Sequence, residues 1–220
     1  MPHAPTPTVI AHGRREADSV RRRGRPANAD TAETIRAILD AARLEFAAHG
    51  FAAASNRSVA ARSGLAHTAI YNHFGSKAGL FTAVFFDVQD LLMAELAAAS
   101  VTAAAFDEPA MPRVLVDAIA ALTTADPSYV EFLASMYIEV QRHDELRARF
   151  RDGPPFPILE TLRGLIGVDG AAEDELWFWI TVALGLAQLA TVAAPAPLAA
   201  AIEGLQRRSA SWSSTEGIRS

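Results

Sequence analysis

Residues Ser55–Phe74 read SNRSVAARSGLAHTAIYNHF, and this stretch decides the fold. It predicts two short helices joined at Gly64-Leu65, because glycine accepts the left-handed backbone of a tight turn and leucine can tuck beneath it. Val59 and Ala60 are the expected inward residues of the first helix. Such a helix-turn-helix unit offers its second helix to a DNA major groove, although a helix-glycine-helix alone also occurs in many helical bundles.

The second helix, expected over about residues 66–74, has an apolar and a polar face. Ile70 and Phe74 are predicted to point inward. Four side chains on the opposite face can hydrogen-bond to bases or phosphates: His67, Thr68, Tyr71 and Asn72. Lys77 opens the next helix, where a cation opposes the helix dipole, so a phosphate contact explains it better than helix stability does.

The flanking sequence predicts further helices and no strand. Asp30 and Glu33 form a capping-box-like start for a first helix that Gly50 ends. Ser76 can cap a long fourth helix that continues to about residue 100. We therefore expect an all-α chain of about nine helices, of which the last five fall near residues 111–124, 127–142, 156–166, 172–194 and 197–211.

Residues 46–81 resemble the DNA-binding head of the tetracycline-repressor (TetR) family. The family pattern is a Gly-aromatic pair after helix 1, an Ile/Val-Ala pair in helix 2, a Gly-hydrophobic turn, then Leu/Ile-Tyr-x-His-Phe and a Lys before Leu-Phe. This chain has Gly50-Phe51, Val59-Ala60, Gly64-Leu65, Ile70-Tyr71-Asn72-His73-Phe74, Lys77 and Leu80-Phe81. The match covers about fifty residues with helix 1 included. The rest of the chain matches only in being helical and of suitable length.

The resemblance implies a role for each matching residue. The expected phosphate-backbone contacts are Tyr71, His73 and Lys77. The expected base-reading side chains are His67, Thr68 and Asn72. In helix 2, Ser55, Asn56 and Arg57 match positions that contact phosphate and sometimes a base. The residues alone leave another reading open for Tyr71 and His73, which could complete a small core.

The sequence departs from the family pattern in two places. Ala66 stands where a capping Ser or Thr is usual, which costs the second helix about 1 kcal/mol. Ala78 and Gly79 stand after Lys77 where the helix-favouring Glu/Ala are usual, and glycine costs on the order of 1 kcal/mol there relative to alanine. We expect both departures to make the free head more mobile without removing a DNA contact.

Charge is distributed unevenly along the chain. Up to Leu80 there are eleven Lys/Arg and six Asp/Glu, whereas from Phe81 onward there are nine and nineteen, giving nets of +5 and −10. A basic end on an acidic body is expected when only that end meets a polyanion. The basic segment includes Arg21, Arg22, Arg23 and Arg25, which suit a narrow minor groove or a phosphate backbone but also a solubilising tail.

These observations predict four segments. They are a disordered basic arm (1–29), a helix-turn-helix DNA-binding domain (30–78), a helical ligand-binding and dimerisation domain (79–212) and a flexible tail (213–220). The resemblance implies that the body encloses a cavity for a small, largely apolar effector. Bulky apolar residues are the candidates to line it: Phe132, Met136, Tyr137, Phe156, Trp177 and Phe178.

Dimerisation is expected because one short recognition helix reads too few bases, and two-fold pairing doubles its contacts on palindromic operator DNA. Small and apolar residues of the last two helices suit close helix approach across an interface: Ile180, Ala183, Leu184, Ala187, Thr191, Leu198, Ile202 and Leu205. The apolar run 176–194 has the length of a membrane span. It lacks flanking basic residues and follows three acidic ones, so a buried helix of a cytoplasmic protein is the preferred interpretation.

The sequence contains few of the motifs that other classes of function require. With no cysteine, the chain has no disulfide and no thiolate metal site. Gly-rich phosphate loops, nucleophile elbows and HExxH motifs are absent, so we predict no enzyme activity, no cofactor and no metal. The leading hypothesis is a TetR-like repressor that binds operator double-stranded DNA as a homodimer and is released by an effector. A helical enzyme, or a small-molecule binding module without a DNA role, is the alternative.

Overall fold

The computed structural model describes residues 27–104, 110–153, 156–166, 173–192 and 203–204. Within these ranges the chain is helical and contains no strand, which confirms the all-α prediction. Nine α-helices fall in the described part: α1 Ala27–Ala53, α2 Asn56–Ser63, α3 His67–Phe74, α4 Lys77–Ala104, α5 Ala110–Ala125, α6 Pro127–Arg142, α7 Asp144–Arg151, α8 Pro157–Ile166 and α9 Glu173–Val192.

Local signals set the ends of the first four helices. Gly50, at φ 70°, breaks the helical conformation near the end of α1, as predicted. The Ser55 side chain accepts a hydrogen bond from the Ser58 N–H at 3.0 Å and so caps α2. Ser76 caps α4 in the same way, by accepting the Gly79 N–H at 3.0 Å. These caps satisfy N–H groups that a helix start leaves without a partner.

The predicted start of α1 and the predicted set of body helices need correction. Helix α1 begins at Ala27, so position 30 lies inside the helix and not at its start. Helix α7 was not predicted, because residues 144–151 carry only two large apolar side chains, Leu146 and Phe150. Acidic residues in its first turn and basic ones in its last fit the helix dipole, and that signal could have identified it. The helix predicted over 197–211 lies almost wholly outside the described residues.

One hydrophobic cluster joins the head, formed by α1–α3 and the start of α4, to the body. Phe46 and Phe81 are both almost fully buried, and their rings lie 5.0 Å apart. Phe132 of α6 packs against Phe81 at 5.1 Å, so the same core crosses the predicted boundary at residue 78. A second cluster, around Leu96, Leu115 and other body residues, lies further along α4. Helix α4 therefore runs through both clusters without interruption.

Candidate nucleic-acid interface

Helix α3 is anchored by one face and leaves the other in solvent. Ile70 is completely buried, and Phe74 packs partly buried against the same core. Gly64 (φ 71°) and Gly75 (φ 72°) take the left-handed conformation at either end, so the chain turns sharply before and after the helix. Five side chains predicted to meet DNA are exposed: His67, Thr68, Tyr71, Asn72 and His73.

Tyr71 does not complete a core. Its side chain is 49% exposed, and its ring lies edge-on to that of His67 at 4.9 Å, one turn earlier. This contact limits the positions that the phenol ring samples, which lowers the entropy lost when its hydroxyl binds a partner. His73 is also exposed, so neither residue completes a small core.

The three candidates at the start of α2 differ in accessibility. Arg57 is exposed and has no ion-pair partner among the described residues. Ser55 is half-buried, and its hydroxyl oxygen already serves as the helix cap. Asn56 is 7% exposed, with Oδ1 unpartnered, so it is corrected from a surface contact to an inward residue. The reason is helical spacing, because Asn56 lies three and four residues before the buried Val59 and Ala60.

Lys77 has internal partners that the sequence did not predict. Its ammonium donates to the carbonyl oxygens of Ala52 and Ala54, both at 3.2 Å, and lies 4.5 Å from the centroid of the Phe51 ring. The positive charge therefore stabilises the end of α1, where carbonyl groups lack helical partners. An ammonium has three donors, so one N–H is still available to a phosphate.

Gly79 is required by packing and does not simply weaken the helix. A Cβ at this position would overlap the backbone carbonyl oxygen of Phe74, the last residue of α3, and would stand 3.2 Å from Nη2 of Arg149. Because no rotation of a side chain can relieve overlap with a backbone atom, only glycine lets α3 and α4 approach this closely. Our expectation that Gly79 only loosens the head is corrected accordingly.

Helix α6 holds α1 at two places. Near its end, the Glu139 carboxylate accepts the Phe51 N–H at 3.1 Å and lies 3.2 Å from Nε2 of His143, whose ring lies 5.0 Å from that of Phe51. The N–H freed by the break at Gly50 is thus satisfied by the body. Head and body are joined through α6 as well as through the continuous helix α4.

The second place is the start of α6, where Arg43 of α1 is 4% exposed. Its Nη1 donates to Asp126 Oδ2 at 3.0 Å and to the Ser128 hydroxyl, and its guanidinium lies 3.7 Å from the centroid of the Tyr129 ring. Burial alone would raise the pKa of Asp126. Hydrogen bonds from the Ser128 N–H and hydroxyl and from Arg43 outweigh it and lower that pKa below the ordinary aspartate value.

The body contains an apolar cavity, and none of the six predicted ligand-binding residues lines it. Its volume is about 60 Å³, and its walls come from five helices: Leu92, Leu96, Leu115, Ile119, Leu133, Ile158, Leu162, Ala183, Leu184 and Ala187. Phe132 and Met136 are instead buried in the cluster shared with the head. Phe156 packs against Phe85, with ring centroids 5.6 Å apart.

The other three ligand candidates face outward. Tyr137, Trp177 and Phe178 are 55%, 56% and 37% exposed, so they are corrected from cavity residues to surface residues. Size does not indicate which face of a helix meets its neighbours, and here the smaller Leu, Ile and Ala side chains surround the space.

The predicted dimer-interface residues of α9 divide in the same way. Ala183, Leu184 and Ala187 line the cavity, and Ile180 packs against the second cluster, so these four contact their own protomer, and their role in a dimer interface stays a prediction. The small side chains of Ala183 and Ala187 let α9 approach the other body helices. Thr191 is exposed, whereas Leu198, Ile202 and Leu205 lie outside the described residues. The exposed large apolar side chains of α9 are Trp177, Phe178 and Leu189.

Helix α9 is therefore not buried on all sides within this protomer. No helix among the described residues combines the length and apolarity needed to cross a bilayer. The same residues contain no group of three or more His, Cys, Asp or Glu side chains placed to hold a metal ion. The arginines of the predicted arm, Arg21, Arg22, Arg23 and Arg25, lie outside the described residues.

Comparisons with known proteins agree with the geometry of the head. Residues 38–84 match the model of the tetR family of bacterial regulatory proteins. A tetR family transcription regulator from Shewanella sp. PV-4 is 20% identical, with 78% of this chain and 95% of that chain covered and a TM-score of 0.56. A TetR-like transcriptional regulator from Rhodococcus sp. RHA1 is 19% identical, with 81% and 96% covered and a TM-score of 0.53.

A third solved structure is that of the multidrug binding protein EbrR complexed with imidazole. It is 21% identical, with 78% of this chain and 87% of that chain covered and a TM-score of 0.56. At these identities the likeness shows a shared fold. No curated protein matches the chain in sequence.

Proposed function

We propose that this chain, whose residues 38–84 match the tetR family of bacterial regulatory proteins, is a transcriptional repressor that binds palindromic operator DNA as a homodimer. The observation that carries the proposal is the face of α3. Ile70 fixes this helix on the head, while the five polar side chains from His67 to His73 remain exposed. A helix anchored on one face and polar on the other can enter a major groove.

In this proposal phosphate contacts position the head and base contacts specify the site. Tyr71, His73 and Arg57 bind phosphates, as does the third N–H of Lys77. His67, Thr68 and Asn72, at the exposed start and middle of α3, face the base edges. The arm residues Arg21, Arg22, Arg23 and Arg25 add minor-groove or phosphate contacts.

The DNA role is tested by the salt dependence of binding. The full-length chain would select its operator from random-sequence duplexes, and affinity would then be measured over a range of salt concentrations. Arg57→Gln should lower the slope of log affinity against log salt by about 1 per protomer, because one phosphate contact is lost. Arg163→Gln is the matched control, since Arg163 is held by Glu160 of its own helix, 2.6 Å away. An unchanged slope in Arg57→Gln would remove that residue from the interface.

The exposed apolar face of α9 supports the homodimer. Phe178 and Leu189, eleven residues apart, lie on one face of α9, and Trp177 is the neighbour of Phe178; leaving all three in water would cost free energy. We propose that a second copy covers them. Trp177→Glu should shift the sedimentation profile toward the monomer, whereas Thr181→Ser, a mild change on the same exposed face, should leave it unchanged. A Trp177→Glu variant that remains fully dimeric would place the interface elsewhere.

The cavity supports release by a small apolar effector. A drug-sized ligand needs about 300–1,000 Å³, whereas this cavity holds about 60 Å³. A drug-sized ligand must therefore displace the walls of the cavity. Two wall residues, Leu92 and Leu96, belong to α4, the helix that continues into the head. Movement of α4 would change the spacing of the two heads and lower operator affinity. Ala183→Val, whose two added methyl groups occupy the cavity without displacing its walls, should weaken the effector response but preserve operator binding.

This proposal places the chain in the cytoplasm, where operator DNA is found. The alternative of a helical enzyme or a binding module without a DNA role does not explain the exposed polar face of α3. Failure of the full-length chain to enrich any sequence from random duplexes would favour that alternative over the regulator.

A further inference from the structure

The body carries a basic segment beside the head, although the body as a whole is acidic. Residues 142–151 contain four arginines and two carboxylates, a net of +2, whereas the chain from Phe81 onward has a net of −10. The segment comprises the end of α6 and all of α7. Leu146 and Phe150 fix α7 by packing into the core that the body shares with the head. The location of this charge is therefore set by the fold.

Two of the four arginines have a carboxylate partner. Arg147 forms an ion pair with Asp144, and Arg151 lies 3.6 Å from a carboxylate oxygen of Asp152. Arg142 and Arg149 are exposed, and neither forms an ion pair or hydrogen bond within the described part of the chain. We call these two residues the flanking arginines.

The distribution of unpaired arginines over the structure is not even. Ten arginines lie in the described ranges, and seven of them form ion pairs: Arg36, Arg43, Arg62, Arg113, Arg147, Arg151 and Arg163. The other three are Arg57, which is in the head, and the flanking arginines, which border it. Solvated arginines scattered without function would have no reason to gather around the head.

Arg149 lies at the junction of α3 and α4. Its Nη2 is 3.2 Å from the point at which a Gly79 Cβ would stand, and the Phe74 carbonyl oxygen is closer still to that point. The guanidinium is therefore next to the last residue of the recognition helix. His73, one of the proposed phosphate contacts, is the neighbour of Phe74 and is exposed.

Arg142 lies at the end of α6, where the body borders a second part of the head. The residue after it, His143, contacts the Phe51 ring at 5.0 Å, and Glu139, one turn earlier, accepts the Phe51 N–H. Phe51 also lies beneath the Lys77 ammonium. The end of α6, which carries the exposed Arg142, therefore lies against the same Phe51 ring as the lysine that we assign to a phosphate.

We propose that Arg142 and Arg149 bind DNA phosphates beside the half-site, so that the body, and not the head alone, touches the DNA. The inference rests on the proposed function, because the head must first bring the body to the duplex. Phosphates attract exposed arginines without regard to sequence. The flanking arginines therefore add affinity and salt dependence but no discrimination between sequences.

The test uses the full-length Arg142→Gln/Arg149→Gln double variant and duplexes carrying the selected operator or a scrambled sequence. The slope of log affinity against log salt should fall by about 2 per protomer, and the ratio of operator to scrambled affinity should remain unchanged. Arg142→Lys/Arg149→Lys should recover the slope, because a phosphate accepts either cation. Arg163→Gln, whose side chain is paired with Glu160, should behave as the unmodified chain.

Three outcomes would overturn the inference. One is an unchanged slope in the double variant while Arg57→Gln lowers it, which would leave the proposed function intact. Another is a loss of affinity without a change of slope, which would mean that the arginines act through packing of the head on the body. Absence of DNA binding by the unmodified chain would refute the proposed function and this inference with it. The thermal midpoint of each variant, followed by circular dichroism, shows that the comparison is made between folded proteins.

Discussion

The Arg43 junction between α1 and α6 gives a stability prediction whose magnitude can be worked out. Arg43→Met keeps most of the aliphatic stem but removes the guanidinium. The lost interactions are charged hydrogen bonds to Asp126 and Ser128, each worth about 1.5–3 kcal/mol, and the contact with the Tyr129 ring, worth about 1–2 kcal/mol when partly desolvated.

Two effects reduce this loss. In the unmodified chain Nε of Arg43 is buried without a hydrogen-bond partner, a cost that the substitution removes. The Asp126 side chain is about one-third exposed, at 34%, so water can hydrate it once Arg43 is gone. We therefore expect the free energy of unfolding to fall by about 2–3 kcal/mol, which lowers the thermal midpoint by about 4–12 °C for a chain of this length.

The assay is urea unfolding followed by circular dichroism, with Arg36→Met as the matched control. Arg36 also lies on α1 and pairs with a carboxylate of another helix, Asp87, but its side chain is 53% exposed. An exposed pair of this kind contributes less than about 1 kcal/mol. If Arg43→Met costs no more than the control does, the attraction between Arg43 and Asp126 only offsets their desolvation, and the reasoning is refuted.

The pH dependence supplies an independent check. Because folding lowers the pKa of Asp126, its contribution is fully present above the pKa of the unfolded chain, about 3.9, and is lost as the pH falls through the lower folded value. The stability gap between the unmodified chain and Arg43→Met should therefore narrow in acid. Removal of Arg43 should raise the pKa of Asp126 relative to the unmodified protein, which carboxyl NMR titration would measure. A gap that stays constant from neutral to acid pH would contradict this account.

Three further substitutions test contacts that only the tertiary structure shows. Gly79→Ala should lower the free energy of unfolding by about 1–3 kcal/mol, because its Cβ would overlap the Phe74 carbonyl oxygen; a gain of about 1 kcal/mol in urea unfolding would mean that helix propensity decides instead. Glu139→Gln should lower the free energy of unfolding by about 1 kcal/mol, because the partner of the Phe51 N–H loses its charge. Hydrogen exchange of the Phe51 amide should become faster, and an unchanged exchange rate would argue against that hydrogen bond. Gln89→Leu should be neutral or stabilise the fold by up to about 1 kcal/mol in the same urea assay, because Oε1 of Gln89 is buried without a partner, and a clear loss would show that a partner exists.

The features that could be predicted from the sequence depend on neighbours along the chain. The left-handed Gly64, the cap at Ser55 and the Asp126-Pro127 start of α6 each involve residues within a few positions of one another. The apolar spacing that buries Ile70 is local in the same sense, since one helical turn determines it. This is why the helix-turn-helix and the outward face of α3 were predicted correctly.

Helix α7 was not predicted from neighbours along the chain. Its segment has too few apolar residues to show a periodic stripe, yet Leu146 is fully buried because α4 and α6 provide a surface for it. Tertiary packing stabilises a short helix that its own sequence signals only weakly. The flanking arginine Arg149 could not be placed beside α3 without knowledge of this helix.

The residue Lys77 shows what the sequence determined and what it did not. Its position after the recognition helix, in a basic head on an acidic body, predicted a role in holding phosphate, and that role stays a prediction. Only the folded chain shows that the same ammonium binds the Ala52 and Ala54 carbonyl oxygens, more than twenty residues away. Likewise, only the folded chain shows the cavity in the body and the exposed position of Trp177. Which face of a helix meets a neighbour depends on all the surfaces that pack around it, and no local pattern contains that information.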